Sequence, residues 1–441
     1  MNSVVVGLGK TGASCVRYLA KRGVAVSATD SRQDPPGLAS LGALAGQLDL
    51  RLGGFDLSLL DGASQLLMSP GISLQEPIAQ RARERGIEIL GDIELFARAV
   101  RAPVIGITGT NGKSTVTSMV AHMARTAGRQ VLAGGNLGEP ALDLLNKPVP
   151  DLYVLELSSF QLETTSSLQL QGAVVLNVTA DHMDRYDSIE SYGRAKARIF
   201  SYAATVVLNA DDAIVAAMRR RGTRTVTFSI LHGNADFTLL EQEGATWLAR
   251  DGKPLADISK MKLSGMHNAA NALAALALGE AAQLPYAAML QALETFPGLP
   301  HRCEWVADLG GVRYIDDSKG TNVGATIAAV AGIRQPVVMI AGGDGKGQDF
   351  SPLARAFRGK VHHAVLIGKD AQAIGATLAG VCRCEFAATL PDAVAAAAAV
   401  ARAGDAVLLS PACASLDMFR DYNHRGDVFA AAVRSLAGRQ S

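Results

Sequence analysis

Cysteine is scarce in this chain. Cys15, Cys303, Cys382, Cys384 and Cys413 are odd in number and scattered over 441 residues. No CxxC pair faces a second one, which argues against a zinc knuckle, and reduced thiols in a cytoplasmic protein are the expectation. Long apolar runs are absent too: none approaches the ~20 residues of a membrane span. The alanine-rich stretch from Ala393 to Gly404 reads instead as a buried helix. The first residues, MNSVVVGLGK, enter a strand directly, without the basic and long apolar regions of a signal peptide. Charge of either sign is not in excess. The formal net charge is +1, so no basic face is advertised and nucleic acid is not an expected partner. Internal repeats and low-complexity tails are also missing.

What is present is ordinary globular composition, 49% hydrophobic, in a chain long enough for three domains of ~150 residues. Short apolar runs alternate with helical stretches: SVVVG, SCVRYLAKRG, VAVSATD. That pattern predicts an α/β fold, with largely parallel sheets flanked by helices. The expected divisions are 1–92, 93–298 and 299–441, the last following the Pro/Gly cluster FPGLPHR. In the third region EWVADL, VRYIDDS, PVVMIAGG, HHAVLIG and DAVLLSP are each expected to precede a helix.

Two glycine loops follow apolar runs. GLGKTG (Gly7 to Gly12) matches G-x-G-x-x-G, and Asp30 ends the next strand about 20 residues on. Such a turn suits a dinucleotide, but the diphosphate of a UDP-sugar would fit equally, and a structural glycine turn is a third reading. GITGTNGKST (Gly106 to Thr115) is more specific. Its Gly-Lys-Ser end lets Lys113 meet outer phosphates and Ser114 ligate magnesium. Ile107 stands where the strict phosphate-loop pattern has its first glycine, which disfavours an ordinary kinase or motor. A lysine at a helix start opposes the helix dipole, and an anion would justify it.

Glu156 ends the apolar run VLE, where a carboxylate is costly without a partner; magnesium would supply one, as would a strand-end hydrogen-bond network. Asp181 and His182 follow a further strand, and Lys196 lies in the next helical segment, where a lysine alone reads as solvated surface. Asn268 and Asn271 lie three apart on one helix face. In the third region come Arg302, then Asp316, Asp317, Ser318, Lys319 and Thr321, then Lys346 in a glycine loop, and Ser415 at an expected helix start. Basic and small polar groups at several strand ends suit an anionic substrate such as a carboxylate.

These residues carry a resemblance. GITGTNGKST, ELSSFQL, NVTADHMDRY, MHNAANALAA, HRCEW, DDSKGTN, GGDGKGQDF and SPACASLDMFRDYNHRG resemble the motifs of the Mur ligases, in family order over almost the whole chain. GLGKTG, DSR and MSPGI are similar to the branch that adds D-glutamate to UDP-N-acetylmuramoyl-L-alanine. The resemblance implies a Rossmann-like N-terminal domain, a P-loop ATPase-like central domain and a Rossmann-like C-terminal domain. It implies that Thr11, Asp30, Ser31, Arg32, Ser69, Pro70, Gly71 and Asn136 bind the UDP substrate. ATP would be held by Gly109, Thr110, Asn111, Gly112, Lys113, Ser114 and Thr115, with Asn268, Asn271, Arg302 and Asp317. One magnesium ion would take Ser114 and Glu156, and a second His182 and a carbamylated Lys196. Thr321, Lys346, Ser415, Leu416 and Tyr422 would meet glutamate, and Lys319 would join Lys113, Glu156, His182 and Lys196 in catalysis. The implied reaction runs through an acyl phosphate, in a monomer whose C-terminal domain closes on its substrates.

Other readings stay open on the residues. A sibling ligase would add L-alanine or a diamino acid. A nicotinamide-dependent dehydrogenase would use GLGKTG and Asp30 but leaves GTNGKST unexplained. A nucleotide-dependent binding protein leaves Glu156, His182 and Lys196 without a reason.

Overall fold

The computed structural model describes residues 2–263 and 265–437. Its strands form three sheets, distributed over two compact units. The first unit comprises residues up to Val178, Glu190–Asp257 and Asn271–Glu294; the second comprises Thr179–Ile189, Ile258–Ala270 and the chain from Thr295.

Within the first unit, one sheet holds β1 (Asn2–Val6), β2 (Ala25–Asp30), β3 (Asp49–Leu52), β4 (Gln65–Met68) and β5 (Glu88–Leu90). Their order is β3-β2-β1-β4-β5, all parallel. Val4, Val6, Leu66 and Met68 pack with Ile78, Ala79 and Ala82 of the helix Pro77–Glu84. Chain order reverses between β1 and β4, so the loops after these two strands form the crevice where an open parallel sheet takes its ligand. GLGKTG follows β1 and Ser69-Pro70-Gly71 follows β4.

The second sheet of this unit contains β6 (Val104–Thr108), β7 (Val131–Gly135), β8 (Leu152–Glu156), β9 (Gly172–Val175), β10 (Thr205–Asn209), β11 (Arg224–Phe228), β12 (Phe237–Gln242), β13 (Ala245–Arg250) and β14 (Lys253–Asp257). The order is β14-β13-β12-β11-β10-β9-β6-β8-β7. Pairing is parallel from β7 to β12 and antiparallel from β12 to β14. Sequence reading misses this last meander. Its signals are Glu243-Gly244 and Asp251-Gly252, each pair with positive φ, as tight hairpins require. Loop GTNGKST follows β6, and Glu156 ends the neighbouring β8, which places the two side by side.

The second unit carries β15 (Glu304–Leu309), β16 (Val312–Asp316), β17 (Val337–Gly342), β18 (Val361–Ile367), β19 (Arg383–Phe386) and β20 (Ala406–Leu409), ordered β15-β16-β20-β17-β18-β19. All pairs are parallel except β15 with β16. The expectation that EWVADL precedes a helix is therefore corrected: Gly310 and Gly311, both at positive φ, turn it into a hairpin with β16. The alanine-rich stretch is a helix from Leu390 to Val400, ending before Gly404. Only one face is buried, through Ala393, Val394 and Ala397; alanine alone gives no polar contrast from which to read a single buried face. The loops after β16, β20 and β17 are neighbours because their strands are.

Candidate active site

In the first unit, GLGKTG turns tightly from β1 into the helix Lys10–Lys21. A Cβ on Gly12 would stand 1.8 Å from the Gly7 carbonyl oxygen, so only glycine lets loop and helix approach this closely. Ser69 Oγ donates to that same carbonyl at 2.6 Å, tying the β4 loop to the β1 loop. Asp30 is buried and accepts from the Leu8 N–H at 2.6 Å, while Arg32 bonds both carboxylate oxygens at 2.8 and 2.7 Å. Burial pushes the Asp30 carboxyl up, but the Arg32 and Leu8 bonds outweigh it and hold it below the usual range. Thr11 lies in the first turn of that helix, Ser31 follows β2, and Pro70 and Gly71 follow β4. No helix among the described residues is long and apolar enough to cross a membrane.

The second loop reaches the helix Lys113–Thr126 through Gly112 at φ 85°. A Cβ there would meet Asn271 Oδ1 at 2.6 Å, which puts Asn271 against the loop. Lys113 Nζ is held over the loop by the carbonyls of Gly109 (2.9 Å) and Thr110 (2.7 Å). Asn111 and Asn177 exchange backbone-to-amide bonds that brace the turn. Ser114 and Thr115 are buried in the first helical turn.

Glu156 is 3% exposed. Its Oε1 accepts from Asn136 Nδ2 at 2.7 Å, and its Oε2 is buried without a protein partner. An orphaned buried carboxylate oxygen beside a phosphate loop fits a cation. Asn136, expected on the UDP substrate, thus bonds the carboxylate. Lys196 lies in the last turn of the helix Ile189–Ala197 and is 1% exposed, so the reading of a solvated lysine fails. Its Nζ donates to the Gly109 carbonyl at 2.8 Å and lies 4.2 Å from the Tyr192 ring centre. The first unit therefore gathers Gly109–Thr115, Asn136, Glu156, Lys196 and Asn271.

The remaining candidates belong to the second unit. His182 stands at φ 58°, with its N–H bonded to the Asp181 carboxylate at 2.9 Å. Lys346, also at positive φ, donates Nζ to Asp181 Oδ1 at 3.2 Å. Asn268 is buried near the start of the helix Met266–Ala281. Arg302 follows His301, whose carbonyl accepts from Lys319 N–H at 3.0 Å. Asp317 is bonded by Ser410 Oγ at 2.6 Å and Cys303 N–H at 3.2 Å. Burial pushes its carboxyl up to about 6, against the pull of Ser410 and Arg302. Lys319 Nζ lies 3.7 Å from the Tyr422 ring centre, a cation–π contact. Thr321 follows on the same loop, its N–H bonded to the Lys319 carbonyl.

Ser415 does not start a helix. Ala414 pairs with Asp344 as an isolated bridge, Ser415 opens a turn, and the helix begins at Tyr422. Leu416 is 75% exposed on that turn. Sequence reading misses Arg425, which is fully buried. It bonds Ser318 Oγ and carbonyl at 3.0 and 2.8 Å and the Cys413 carbonyl at 3.1 and 3.2 Å, clamping the β16 loop to the β20 loop. An arginine three residues into a helix carries no sequence signal of burial.

A phosphate loop after a parallel strand, with a buried, half-satisfied carboxylate on the neighbouring strand, defines a nucleotide-triphosphate-binding enzyme of the P-loop class. The comparisons specify the family. Residues 1–91 match the Mur ligase MurD-like N-terminal domain, 107–279 the Mur ligase middle domain, and 301–413 the Mur ligase glutamate ligase domain. The chain belongs to the Mur ligase family. It is 54% identical over 437 residues to the UDP-N-acetylmuramoylalanine--D-glutamate ligase of Nitrosococcus oceani, covering 98% of this chain and 96% of the relative. The protein of the same name from Methylococcus capsulatus is 50% identical over 98% of this chain and 95% of its own length. Among solved structures, a pseudomurein peptide ligase type C from Methanothermus fervidus superposes at TM-score 0.65 with 19% identity, covering 99% of both chains. UDP-N-acetylmuramate-alanine ligase from Thermotoga maritima does so at 0.64 with 21% identity, also over 99% of both. At these identities the two structures share the fold.

Proposed function

We propose that this protein joins D-glutamate to UDP-N-acetylmuramoyl-L-alanine, releasing ADP and phosphate, in the cytoplasmic synthesis of peptidoglycan precursors. The name carried by relatives at 54% and 50% identity supports the substrate pair. The observation that carries the chemistry is the buried, partnerless Oε2 of Glu156 beside the loop of Lys113. The proposed domain divisions fall at 92/93 and 298/299.

A carboxylate repels an incoming amine, so it must first be activated. The γ-phosphoryl group of ATP passes to the alanyl carboxylate to give an acyl phosphate; the glutamate amine then attacks the acyl carbon and phosphate leaves. Charge gathers on phosphoryl oxygens, and fixed positive groups are the main catalytic device. Lys113, already poised over its loop, supplies one such group. Ser114 and Glu156 would hold one magnesium ion, and His182 and Lys196 would hold a second. Bound magnesium supplies positive charge toward phosphate oxygens. Carbamylation would turn Lys196 from a cation into an anion suited to that role. Asn268, Asn271, Arg302 and Asp317 keep their nucleotide role. Thr321, Lys346, Ser415, Leu416 and Tyr422 keep theirs toward glutamate, with Lys319 beside them and Arg425 setting the loops. The protein acts as a monomer.

The test is phosphate release from ATP with magnesium and UDP-N-acetylmuramoyl-L-alanine, with D-glutamate, L-glutamate, L-alanine or diaminopimelate as acceptor. Release that requires D-glutamate is the expected result. Release with another acceptor moves the chain to a sibling step, and none with any acceptor overturns the ligase reading.

A further inference from the structure

One feature of the sequence takes no part in the chemistry above: Cys382 and Cys384, separated by Arg383 alone. They stand at the start of β19, an edge strand paired only with β18. Both are free thiols and half-buried. Arg383, the first residue of β19, is extended, so the side chains on either side of it leave on one face of the sheet. That face is apolar: Cys382 and Cys384 pack against the cluster that contains Ala364, Leu366, Ile374 and Leu378. Cys384 Sγ lies 3.9 Å from the Cys382 carbonyl oxygen, which turns it back toward its partner. Burial, and then Cys384 beside it, pushes the Cys382 thiol up to about 12.

Spacing and ligand count decide what the pair can hold. An extended residue between them sets their Cα atoms about 6.6 Å apart. That is near the upper limit of a disulfide, and β19 would have to bend to close one. A metal ion between two sulfurs spans a wider gap and leaves the strand straight. Zinc takes four donors. Among the described residues, no His, Cys, Asp or Glu atom joins the two sulfurs in a group of three within 4.8 Å. Two thiolates without a third ligand suit a soft cation of low coordination number. A cavity of ≈520 Å³, lined by Cys382, Arg383, Lys360 and His362 among others, gives access from solvent. His362 is engaged elsewhere, its Nε2 3.0 Å from Asp405 Oδ2. Lys360 and Arg383 place positive charge beside the thiols, which favours their ionised form.

We propose that Cys382 and Cys384 form a binding site for a soft monovalent cation, copper(I), held between two thiolates. Each sulfur gives its proton to solvent as the metal binds, so affinity rises with pH. The cavity opens at the amino ends of β17, β18 and β19, whereas the candidate ligand loops of this unit follow the carboxyl ends of β16, β17 and β20.

Anaerobic titration of the full chain with copper(I), in competition with bicinchoninate, tests it. Wild type should take one equivalent from the chelator, and X-ray absorption should show two sulfur neighbours. Cys382→Ser and Cys384→Ser should each bind at least about a hundredfold more weakly, the scale of losing one arm of a two-point attachment. Cys303→Ser, which removes an exposed thiol elsewhere, should bind as wild type does. Thermal unfolding without metal should be the same in all four proteins, and both serine variants at β19 should keep phosphate release. Wild-type affinity in both of those variants, failure of wild type to compete, or displacement of the copper by equimolar zinc overturns the proposal and leaves the ligase reading standing.

Discussion

Replacing Glu156 by glutamine separates catalysis from stability by sign. In the native site Oε1 accepts from Asn136 at 2.7 Å and Oε2 is buried without a partner. Glutamine keeps the volume and the Asn136 bond and removes a buried charge. A structural carboxylate loses stability on such a change; a cation-seeking one gains, by about 1–2 kcal/mol, because an uncompensated buried charge gives way to a neutral amide. Catalysis moves the other way. Metal charge on transferring phosphoryl oxygens is worth several kcal/mol, and at 1.36 kcal/mol per tenfold a loss of ~3–4 kcal/mol lowers kcat by about 10²–10³. The assay pairs phosphate release with thermal unfolding at zero and millimolar magnesium. Wild type should rise in Tm with magnesium, and Glu156→Gln should start higher and rise less. A variant that melts lower than wild type, or that ligates within threefold of it, refutes the reasoning.

Three further outcomes are expected. Lys196→Met, which keeps most of the buried volume, should nearly abolish ligation while retaining a cooperative unfolding transition; NMR with ¹³C-bicarbonate should show a carbamate signal in wild type only, and near-normal turnover refutes the role. Arg425→Met removes the bonds to Ser318 and Cys413 and leaves their carbonyls buried; a loss of roughly 2–4 kcal/mol in urea unfolding, with a raised KM for glutamate, is expected. Burial pushes the Asp92 carboxyl from 3.8 to about 6, against the Gln161 bond. The folded chain then binds this proton more tightly than the unfolded one, so stability contributed here falls as pH rises from about 4 to 6 and stays lost above. Asp92→Asn should therefore be more stable at pH 7.5 by at most about 3 kcal/mol, with the advantage gone by pH 4; an advantage independent of pH would contradict this.

The glycine loops and Glu156 were legible because their signals are local: an apolar run, a turn only glycine can make, and a helix start lie within ten residues. Strand ends were a useful guide to candidate residues because parallel strands present their carboxyl ends together. The hairpin of β15 with β16 was missed although Gly310-Gly311 marks it, since an alternating α/β rhythm was extended one strand too far. Ser415 was misplaced for a different reason: its turn is held by the Ala414–Asp344 bridge, a contact across 70 positions of chain.

By itself the sequence determined the class of each loop, the residue types at the strand ends and the family, because these depend on short-range geometry and on motif order. Only the tertiary structure decided the burial of Lys196 and Arg425 and the partnerless oxygen of Glu156. Burial is a sum over neighbours distant in the chain, and a lysine in a helix reads the same whether water or a phosphate loop lies beyond it.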